Sequence, residues 1–341
     1  MELVIADIRE KAGVVLQDEN AARERYYTIN IVKCKRNTKL VVEDTSFRFP
    51  TSVKRGDALI AFSKSSVLEL FAELTNLGRK VSVIYGSLPP ETRRSQMSLF
   101  NTGDSNIVVA TDAIGMGLKL PIKRVVFIET AKFDGATSRP LKPAEIKQIA
   151  GRAGRKGKYD VGYVNSTSMK KSIKEYLSMD LDDLDVAYYL PSKQHILSLP
   201  MGTLEERIKA CLTVKRAQNY FVNENIDEQL YLLGILSEFN LSDAQKFDLI
   251  FIPFDSESFV LRGDWISYVK DYIKGRAILP PIKQHVQSLN ALENYYKRLD
   301  LYYMFCSTMG VDFDSSFVSA EKEYAANEIH KILIKRPRSR A

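Results

Sequence analysis

Short, nearly continuous apolar runs alternate with longer amphipathic segments between residues 58 and 164. The runs cover residues 58–63, 81–86, 106–111, 124–128 and 161–164. The segments between the first three, residues 65–77 and 90–100, have the apolar spacing of helices that bury one face. Strands that are apolar along their whole length are typical of parallel sheets buried on both faces. The pattern therefore predicts an α/β domain with a parallel sheet covered by helices.

This alternation stops at about residue 169, and helical spacing dominates the rest of the chain. Helices are predicted over residues 170–177, 204–212, 228–239, 242–249, 265–274 and 286–305. The last of them carries a stripe that we interpret as core packing in preference to base stacking: Leu289, Leu292, Tyr295, Tyr296, Leu299, Tyr302 and Tyr303. We predict three parts: a lead-in over residues 1–50 with a strand at 26–32, the α/β domain over 51–168, and a helical accessory domain over 169–341 that ends in a basic tail at 335–340.

The composition excludes several classes of protein. The chain has 341 residues, of which 45% are apolar and 27% charged, as in ordinary globular proteins. No apolar run reaches membrane-spanning length, so we expect no membrane partner. Cys34, Cys211 and Cys306 lie far apart in the sequence, which argues against a disulfide framework or a zinc site, and we expect no metal ligands in this chain. The net charge of +7 suits a polyanionic partner.

Polar residues follow three of the predicted strands. They are Ser63-Lys64-Ser65 after the first strand, Tyr85-Gly86-Ser87 after the second, and Thr111-Asp112 followed by Gly115 and Gly117 after the third. Ligands of open parallel sheets bind beyond the carboxyl ends of the strands. Turns also use such residues, but three clusters together predict an edge that binds phosphate groups.

A second candidate site is the stretch from Gln148 to Arg155, which reads Gln-Ile-Ala-Gly-Arg-Ala-Gly-Arg. A helix start is predicted at residues 142–145, with a proline near the first turn. If the helix continues, Gln148, Arg152 and Arg155 share one face, and Gly151 and Gly154 let a ligand approach closely. Arginine forms bidentate hydrogen bonds with phosphate. The alternative is a solvated basic helix end.

Two of these stretches are similar to known motifs. Residues 110–118 and 148–155 resemble motifs V and VI of superfamily-two helicases. Residues 85–90 and the Ile278-Leu279-Pro280-Pro281 segment after Trp265 narrow the resemblance to the Suv-three family, which are RNA helicases of the mitochondrial and bacterial type. The similarity is specific over about residues 50–170 and looser in the C-terminal half.

The resemblance implies a RecA-like fold and a site shared by two such domains, which sandwich ATP. It implies that Arg152 and Arg155 reach the γ-phosphate, one of them as an arginine finger, and that Gln148 positions phosphate or water. Nucleotide contacts are implied for Asp112, Gly115 and Gly117. A track along RNA is implied for Ser63, Lys64, Tyr85, Gly86 and Thr111. Through the accessory region, the family also suggests an exoribonuclease as partner.

The sequence departs from the family pattern in one large respect. It contains no G-x-x-x-x-G-K-[ST] phosphate loop and no Asp-Glu pair that closes an early apolar strand. We therefore expect the first RecA-like domain, which would hold Mg²⁺, to be missing, and the chain to be a fragment or a shortened paralogue. Such a half site cannot hold magnesium-ATP in the usual way, so a first domain supplied by another chain is an expected partner.

Two functions remain open at this point. The first is an ATP-dependent RNA helicase that is represented by its second motor domain and helical region. The second is a non-catalytic RNA-binding or scaffold module. The sequence argues against a dinucleotide-binding enzyme, because Leu120 occupies the third glycine position after Gly115 and Gly117. We expect a cytoplasmic location in preference to the mitochondrial matrix.

Overall fold

A computed structural model describes residues 2–10, 27–35, 38–115, 117–135, 137–181, 187–200, 202–213, 221–283 and 288–334. The chain forms two compact units, which we call the sheet unit and the helical unit. The sheet unit groups residues 1–86 with 96–181, and the helical unit groups residues 87–95 with 182–336. The basic tail predicted at 335–340 lies outside the described residues.

The sheet unit is built on strands that alternate with helices. Its strands are β1 Glu2–Glu10, β2 Tyr27–Lys35, β3 Lys39–Val42, β4 Asp57–Ile60, β5 Val81–Ile84, β6 Ile107–Ala110, β7 Arg124–Phe127, β8 Ala131–Phe133, β9 Ser138–Pro140 and β10 Val161–Ser166. Its helices are α1 Lys64–Asn76, α2 Pro90–Thr102, α3 Pro143–Ala150 and α4 Lys170–Ser178, and a 3₁₀ turn covers Asp112–Gly115. Residues 90–95 of α2 group with the helical unit.

Six strands form one parallel sheet in the order β3-β10-β7-β4-β6-β5. The predicted α/β fold and its five strands are therefore confirmed. The strands β4, β6 and β7 are buried along their whole length, as their continuous apolar sequences require. Because the six strands run in the same direction, all their carboxyl ends lie at one edge of the sheet.

The strand predicted at residues 26–32 is confirmed as β2, but the edge strand β3 and the smaller strand pairs were not predicted. The edge strand β3 contributes residues 39–42 to the sheet, although the sequence analysis placed the start of the domain at residue 51. It is short and only half-buried, so its apolar signal is weak. The strands β1 and β2 pair antiparallel, and so do β8 and β9. The helix α4 groups with the sheet unit, and the domain limits at 51 and 169 stay predictions.

The helical unit contains the remaining elements. Its helices are α5 Lys193–Ser198, α6 Leu204–Thr213, α7 Asp227–Leu236, α8 Asp243–Ile250, α9 Phe259–Ile273, α10 Leu289–Met309 and α11 Ser315–Ile334. The strands β11 Ala187–Tyr189 and β12 Phe221–Asn223 form a parallel pair. Sequence analysis predicted five of these helices, missed α5 and α11, and began α9 six residues late, since Ser258 caps it. None of the helices in the described ranges is long and apolar enough to cross a membrane.

The aromatic stripe of α10 lies mostly in the core of the helical unit. Leu292, Tyr295, Tyr296, Leu299 and Tyr302 are buried, together with Trp265 of α9. The interpretation of these side chains as core is therefore confirmed. It is wrong for Tyr303, which is 44% exposed because its ring faces an open cavity beside α11.

A buried charge cluster, Arg124 with Asp57 and Glu43, stabilises the amino-terminal edge of the sheet. Arg124 begins β7 and Asp57 begins β4. The guanidinium donates to both carboxylate oxygens of Asp57 at 2.9 and 2.6 Å and to Glu43 at 2.8 Å. Burial disfavours the charge of Arg124, but the two carboxylates outweigh it and raise its pKa. Burial also raises the pKa of Asp57, against the hydrogen bonds from Arg124 and the Lys54 N–H, which favour its carboxylate. The paired side chains join two central strands.

Replacing Arg124 with methionine should destabilise the protein by about 3–5 kcal/mol, because Asp57 would remain buried without a cation. Urea unfolding followed by circular dichroism measures this loss. The double variant Arg124→Met/Asp57→Asn removes both charges and should recover part of the stability. A single variant within about 1 kcal/mol of the wild type would show that the cluster is not a stabilising pair.

Candidate functional site

The predicted arginine stretch begins as a helix but does not continue as one. Helix α3 starts at Pro143, and the Glu145 carboxylate accepts a hydrogen bond from the Lys142 N–H at 2.8 Å, as expected of a helix start. The helix ends at Ala150, so Gln148 lies on it whereas Arg152 and Arg155 lie beyond it. The prediction that the three side chains share one helical face is wrong.

The helix ends because the chain turns to pair with the segment that precedes β7. Ala153 forms a parallel bridge with Ile122, and the Gly154 N–H donates to the Ile122 carbonyl at 2.8 Å. Gly154 has a φ of +75°, a left-handed conformation that favours glycine. A helical continuation to Arg155 would forgo these contacts.

The missing side chain of Gly154 allows close backbone packing and does not provide access for a ligand. A Cβ atom at Gly154 would lie 2.7 Å from the backbone nitrogen of Gly162, and one at Gly162 would lie 2.4 Å from the Ala153 carbonyl oxygen. The two backbones cross too closely for any side chain. The interpretation of Gly154 as space for a ligand is therefore wrong, since β10 occupies that space.

The loop nevertheless gathers the three predicted side chains around the segment that follows β6. The Gln148 amide donates to the Gly115 carbonyl at 3.3 Å, and the Arg152 guanidinium donates to the same carbonyl. Arg155 donates to the Lys119 carbonyl at 3.2 Å. The structure thus brings residues of both predicted stretches together by contacts with backbone carbonyls, Gln148 and Arg152 at the turn that follows β6 and Arg155 further along the chain towards β7.

The two arginines carry charge that the surrounding structure does not neutralise. Within the described ranges, no carboxylate lies at ion-pair distance from Arg152 or Arg155. Arg152 is half-buried, and burial lowers its pKa; an arginine nevertheless stays protonated at neutral pH. Arg155 is exposed. The pair therefore offers an anion two guanidinium groups, of which one is partly shielded from water.

Asp112 belongs to a network of charges that sequence reasoning missed. Lys132 of β8 lies 3.3 Å from the Asp112 carboxylate and 2.7 Å from that of Glu145. Arg139 of β9 binds both oxygens of Glu145 at 2.9 and 3.0 Å. The β8–β9 hairpin thereby links the 3₁₀ turn to the start of α3. The strands have only three residues each, too few for a clear signal in the sequence.

The predicted glycines differ in their surroundings. A Cβ atom at Gly115 would lie 3.4 Å from the Gln148 side chain, so this glycine keeps the amide close to the turn. Gly117 has a φ of +65° and nothing within 4 Å of its Cβ position, which leaves open space there.

The residues predicted to follow RNA lie after β4, β5 and β6, which are neighbours in the sheet. Ser63 caps α1 by accepting from the Ser66 N–H at 2.9 Å. The Lys64 amino group lies 5.6 Å from the centre of the Tyr85 ring, which is only 1% exposed. Thr111 is buried too, and its hydroxyl accepts from the Ala113 N–H at 3.3 Å. Gly86 is exposed and Ser63 and Lys64 are half-buried, so these three are the accessible members of this row.

A family model of the helicase conserved C-terminal domain matches residues 39–157. Residues 39–157 are a helicase C-terminal domain. The chain is 32% identical over 302 residues to the Arabidopsis thaliana protein "DExH-box ATP-dependent RNA helicase DExH16, mitochondrial", a match that covers 81% of this chain and 52% of that protein. It is 35% identical over 239 residues to the Saccharomyces cerevisiae protein "ATP-dependent RNA helicase SUV3, mitochondrial", covering 64% and 32%.

A Homo sapiens relative, "ATP-dependent RNA helicase SUPV3L1, mitochondrial", is 27% identical over 295 residues, which cover 79% of this chain and 37% of that protein. The resemblance to the Suv-three family is thereby confirmed. The chain spans about half, or less, of the length of these relatives. Among solved structures, the C-terminal domain of the DEAD-box protein Dbp5 aligns with a TM-score of 0.33 and 20% identity over 42% of this chain and 87% of that one.

The sheet unit contains further polar groups at the carboxyl edge that the sequence did not reveal. Glu129 follows β7 and accepts from the Phe62 N–H at 2.6 Å, which holds the segment before Ser63. Thr130 and Ser168 share a hydrogen bond of 3.2 Å between their hydroxyls. Their places after β7 and β10 were the available signal, because carboxyl ends of parallel strands meet at one edge.

The charge network of the helicase domain should make its stability depend on acidic pH. Arg139, Lys132 and the Lys142 N–H lower the pKa of Glu145 from 4.5 to about 2. A depressed carboxylate pKa adds stability that is fully present above pH 4.5 and is lost as the pH falls towards 2. Glu145→Gln should therefore lose about 1–2 kcal/mol at neutral pH and little at the acidic end. Urea unfolding of both proteins across this range measures the difference. A difference that is constant with pH would contradict the assignment.

Proposed function

We propose that the chain supplies the arginine-bearing half of the ATP site and part of the RNA track of an ATP-dependent RNA helicase of the Suv-three type. One observation carries the proposal. Gln148 and Arg152 bind the Gly115 carbonyl in the turn after β6, where parallel sheets bind ligands, and Arg155 binds the Lys119 carbonyl further along the same segment, with no described carboxylate beside either arginine. The names of the relatives describe ATP-dependent RNA helicases, and this site provides the groups that such an activity requires from a second motor domain.

The arginines suit the γ-phosphate on chemical grounds. A guanidinium keeps its charge at neutral pH and matches the oxygens of a phosphoryl group. In this proposal Arg155, which is exposed, stabilises the charge that develops during phosphoryl transfer. Arg152 exchanges its bond to the Gly115 carbonyl for one to a phosphate oxygen, and Gln148 orients phosphate or water. Gly117 leaves room for the nucleotide beside Asp112.

The magnesium ion of the substrate would be held outside this chain. The described residues include no group of three or more histidine, cysteine or acidic side chains that would bind a metal ion. Asp112 is unsuited to metal binding here, because Lys132 neutralises its carboxylate. We therefore assign Mg²⁺ and the phosphate loop to a first RecA-like domain, either in another part of a longer protein or in another chain.

The RNA track would use backbone and phosphate contacts at the ends of β4, β5 and β6. Lys64 supplies the positive charge, and Ser63 and Gly86 supply a hydroxyl and an approachable backbone. Thr111 and Tyr85 are both buried, so in this proposal they support the track and do not contact RNA directly. Tyr85 supports Lys64 from below and does not stack on bases. Such contacts bind RNA with little sequence preference.

The names of the relatives place those proteins in mitochondria and do not support our expectation of a cytoplasmic location. We propose the mitochondrial matrix for this chain on the strength of those names. An exoribonuclease partner also remains a proposal, suggested by the family resemblance and by the presence of a helical unit.

RNA-stimulated ATP hydrolysis tests the function. The chain is mixed with a first RecA-like half from a Suv-three relative, and hydrolysis is measured with and without RNA. Arg155→Ala should lower kcat by a factor on the order of 10³, because it removes the finger charge from the transition state. Arg55→Ala is the matched control, since Arg55 is an exposed arginine next to the amino end of β4.

The controls separate the two functions that the sequence left open. Equal rates for Arg155→Ala and Arg55→Ala would show that Arg155 is not a finger. If no mixture hydrolyses ATP but the chain alone still binds RNA, the result would support the non-catalytic RNA-binding or scaffold module instead.

A further inference from the structure

The helical unit contains a cavity that the proposed ATP site and RNA track do not use. Its volume is about 550 Å³, within the range of about 300–1,000 Å³ typical of small-ligand pockets. Tyr303 of α10, one face of α11 and residues 91–95 line it. All of these residues group with the helical unit. Val318, which is 1% exposed, provides an apolar floor.

The aromatic wall of this cavity is a tyrosine held in a fixed orientation. Tyr303 is 44% exposed, and its ring meets Phe313 edge to face at 5.4 Å and 88°. Such edge contacts stabilise a ring beyond its burial alone. Tyr303 is also the one member of the α10 stripe in the described residues that the structure leaves strongly exposed.

The polar wall presents neutral groups whose hydrogen bonds are unused. Ser315, Ser319 and Asn327 of α11 are spaced by multiples of four residues, so they lie on one helical face. Within the described chain, neither these three side chains nor the Tyr303 hydroxyl has a hydrogen-bond partner. The cavity thus offers hydroxyl and amide groups to a ligand.

The charged groups of the cavity balance one another, and three of the four have partners of their own. Glu91 accepts a hydrogen bond from Tyr296 at 2.8 Å and lies 3.5 Å from Arg94. Lys322 pairs with Asp300 and lies 4.9 Å from the centre of the Tyr296 ring. With Glu323, the lining holds two positive and two negative side chains. A phosphate group would find no net positive charge there.

We propose that this cavity binds a nucleobase, with its face on Tyr303 and its edge on the hydroxyl and amide groups of α11. A nucleobase is planar, neutral and rich in donors and acceptors, and it stacks on aromatic side chains. Its source is either an unpaired base of an RNA strand, which rests on the function proposed above, or a free nucleoside. The first source adds a base contact to an RNA track that otherwise contacts only the backbone.

Binding to the full chain tests the proposal with two probes. Fluorescence anisotropy measures the affinity for labelled oligoadenylate, and saturation-transfer NMR measures the binding of adenosine. Tyr303→Leu should weaken the binding of the occupying probe by about tenfold, since stacking is lost, whereas Tyr303→Phe should retain it. Tyr231→Leu is the matched control, because Tyr231 is another exposed tyrosine of the helical unit. Asn327→Asp, at an exposed helix position, should also weaken binding without disturbing the fold.

Each outcome decides between the inference and the proposed function. Oligoadenylate binding that depends on Tyr303 supports a base of an RNA strand. Adenosine binding that depends on Tyr303, without any oligoadenylate binding, supports a free nucleoside and counts against the RNA function. Oligoadenylate binding that is equal in wild type and Tyr303→Leu, without adenosine binding, overturns the inference and leaves the RNA function standing. Failure of both probes overturns both.

Discussion

The close crossing of two backbones at Gly154 and Gly162 determines where the arginines of the site lie. With the hypothetical Cβ of Gly162 only 2.4 Å from the Ala153 carbonyl oxygen, no side chain fits between the two segments. The chain must therefore leave α3 after Ala150, pair with Ile122 and pass along β10. This path carries Arg152 back to Gly115 and Arg155 to Lys119. The backbone contact thus sets the geometry that a helix alone would not give.

The arginines of the sheet unit have two kinds of partner. At the amino-terminal edge, Arg124 is buried and bound by two carboxylates, so its charge serves stability. Beyond the end of α3, Arg152 and Arg155 have carbonyl partners and no described carboxylate. A carbonyl satisfies a guanidinium N–H but leaves the charge available to an anion. This difference separates the structural arginine from the arginines of the site.

The sequence predicted the sheet well because its strands are buried on both faces and their apolar runs are continuous. It predicted which residues meet at the carboxyl edge for the same reason, since parallel strands fix that edge. It predicted the positions of Arg152 and Arg155 wrongly, because helical spacing carries no information about the contact between Gly154 and Gly162. It also missed β3, which is only half-buried, and the β8–β9 hairpin, whose strands have three largely exposed residues each.

In the helical unit, Tyr303 shows the same limit of a prediction that rests on sequence periodicity. The spacing of the α10 stripe assigns both Tyr302 and Tyr303 to the core, yet Tyr302 is 4% exposed and Tyr303 is 44% exposed. Burial depends on where the neighbouring helix lies, and α11 was not predicted. Once α11 is present, Tyr302 faces Tyr268 in the core, whereas Tyr303 faces the cavity beside the polar face of α11. An exposed aromatic next to unused polar groups is a property of the packed helices, and only the packed structure reveals it.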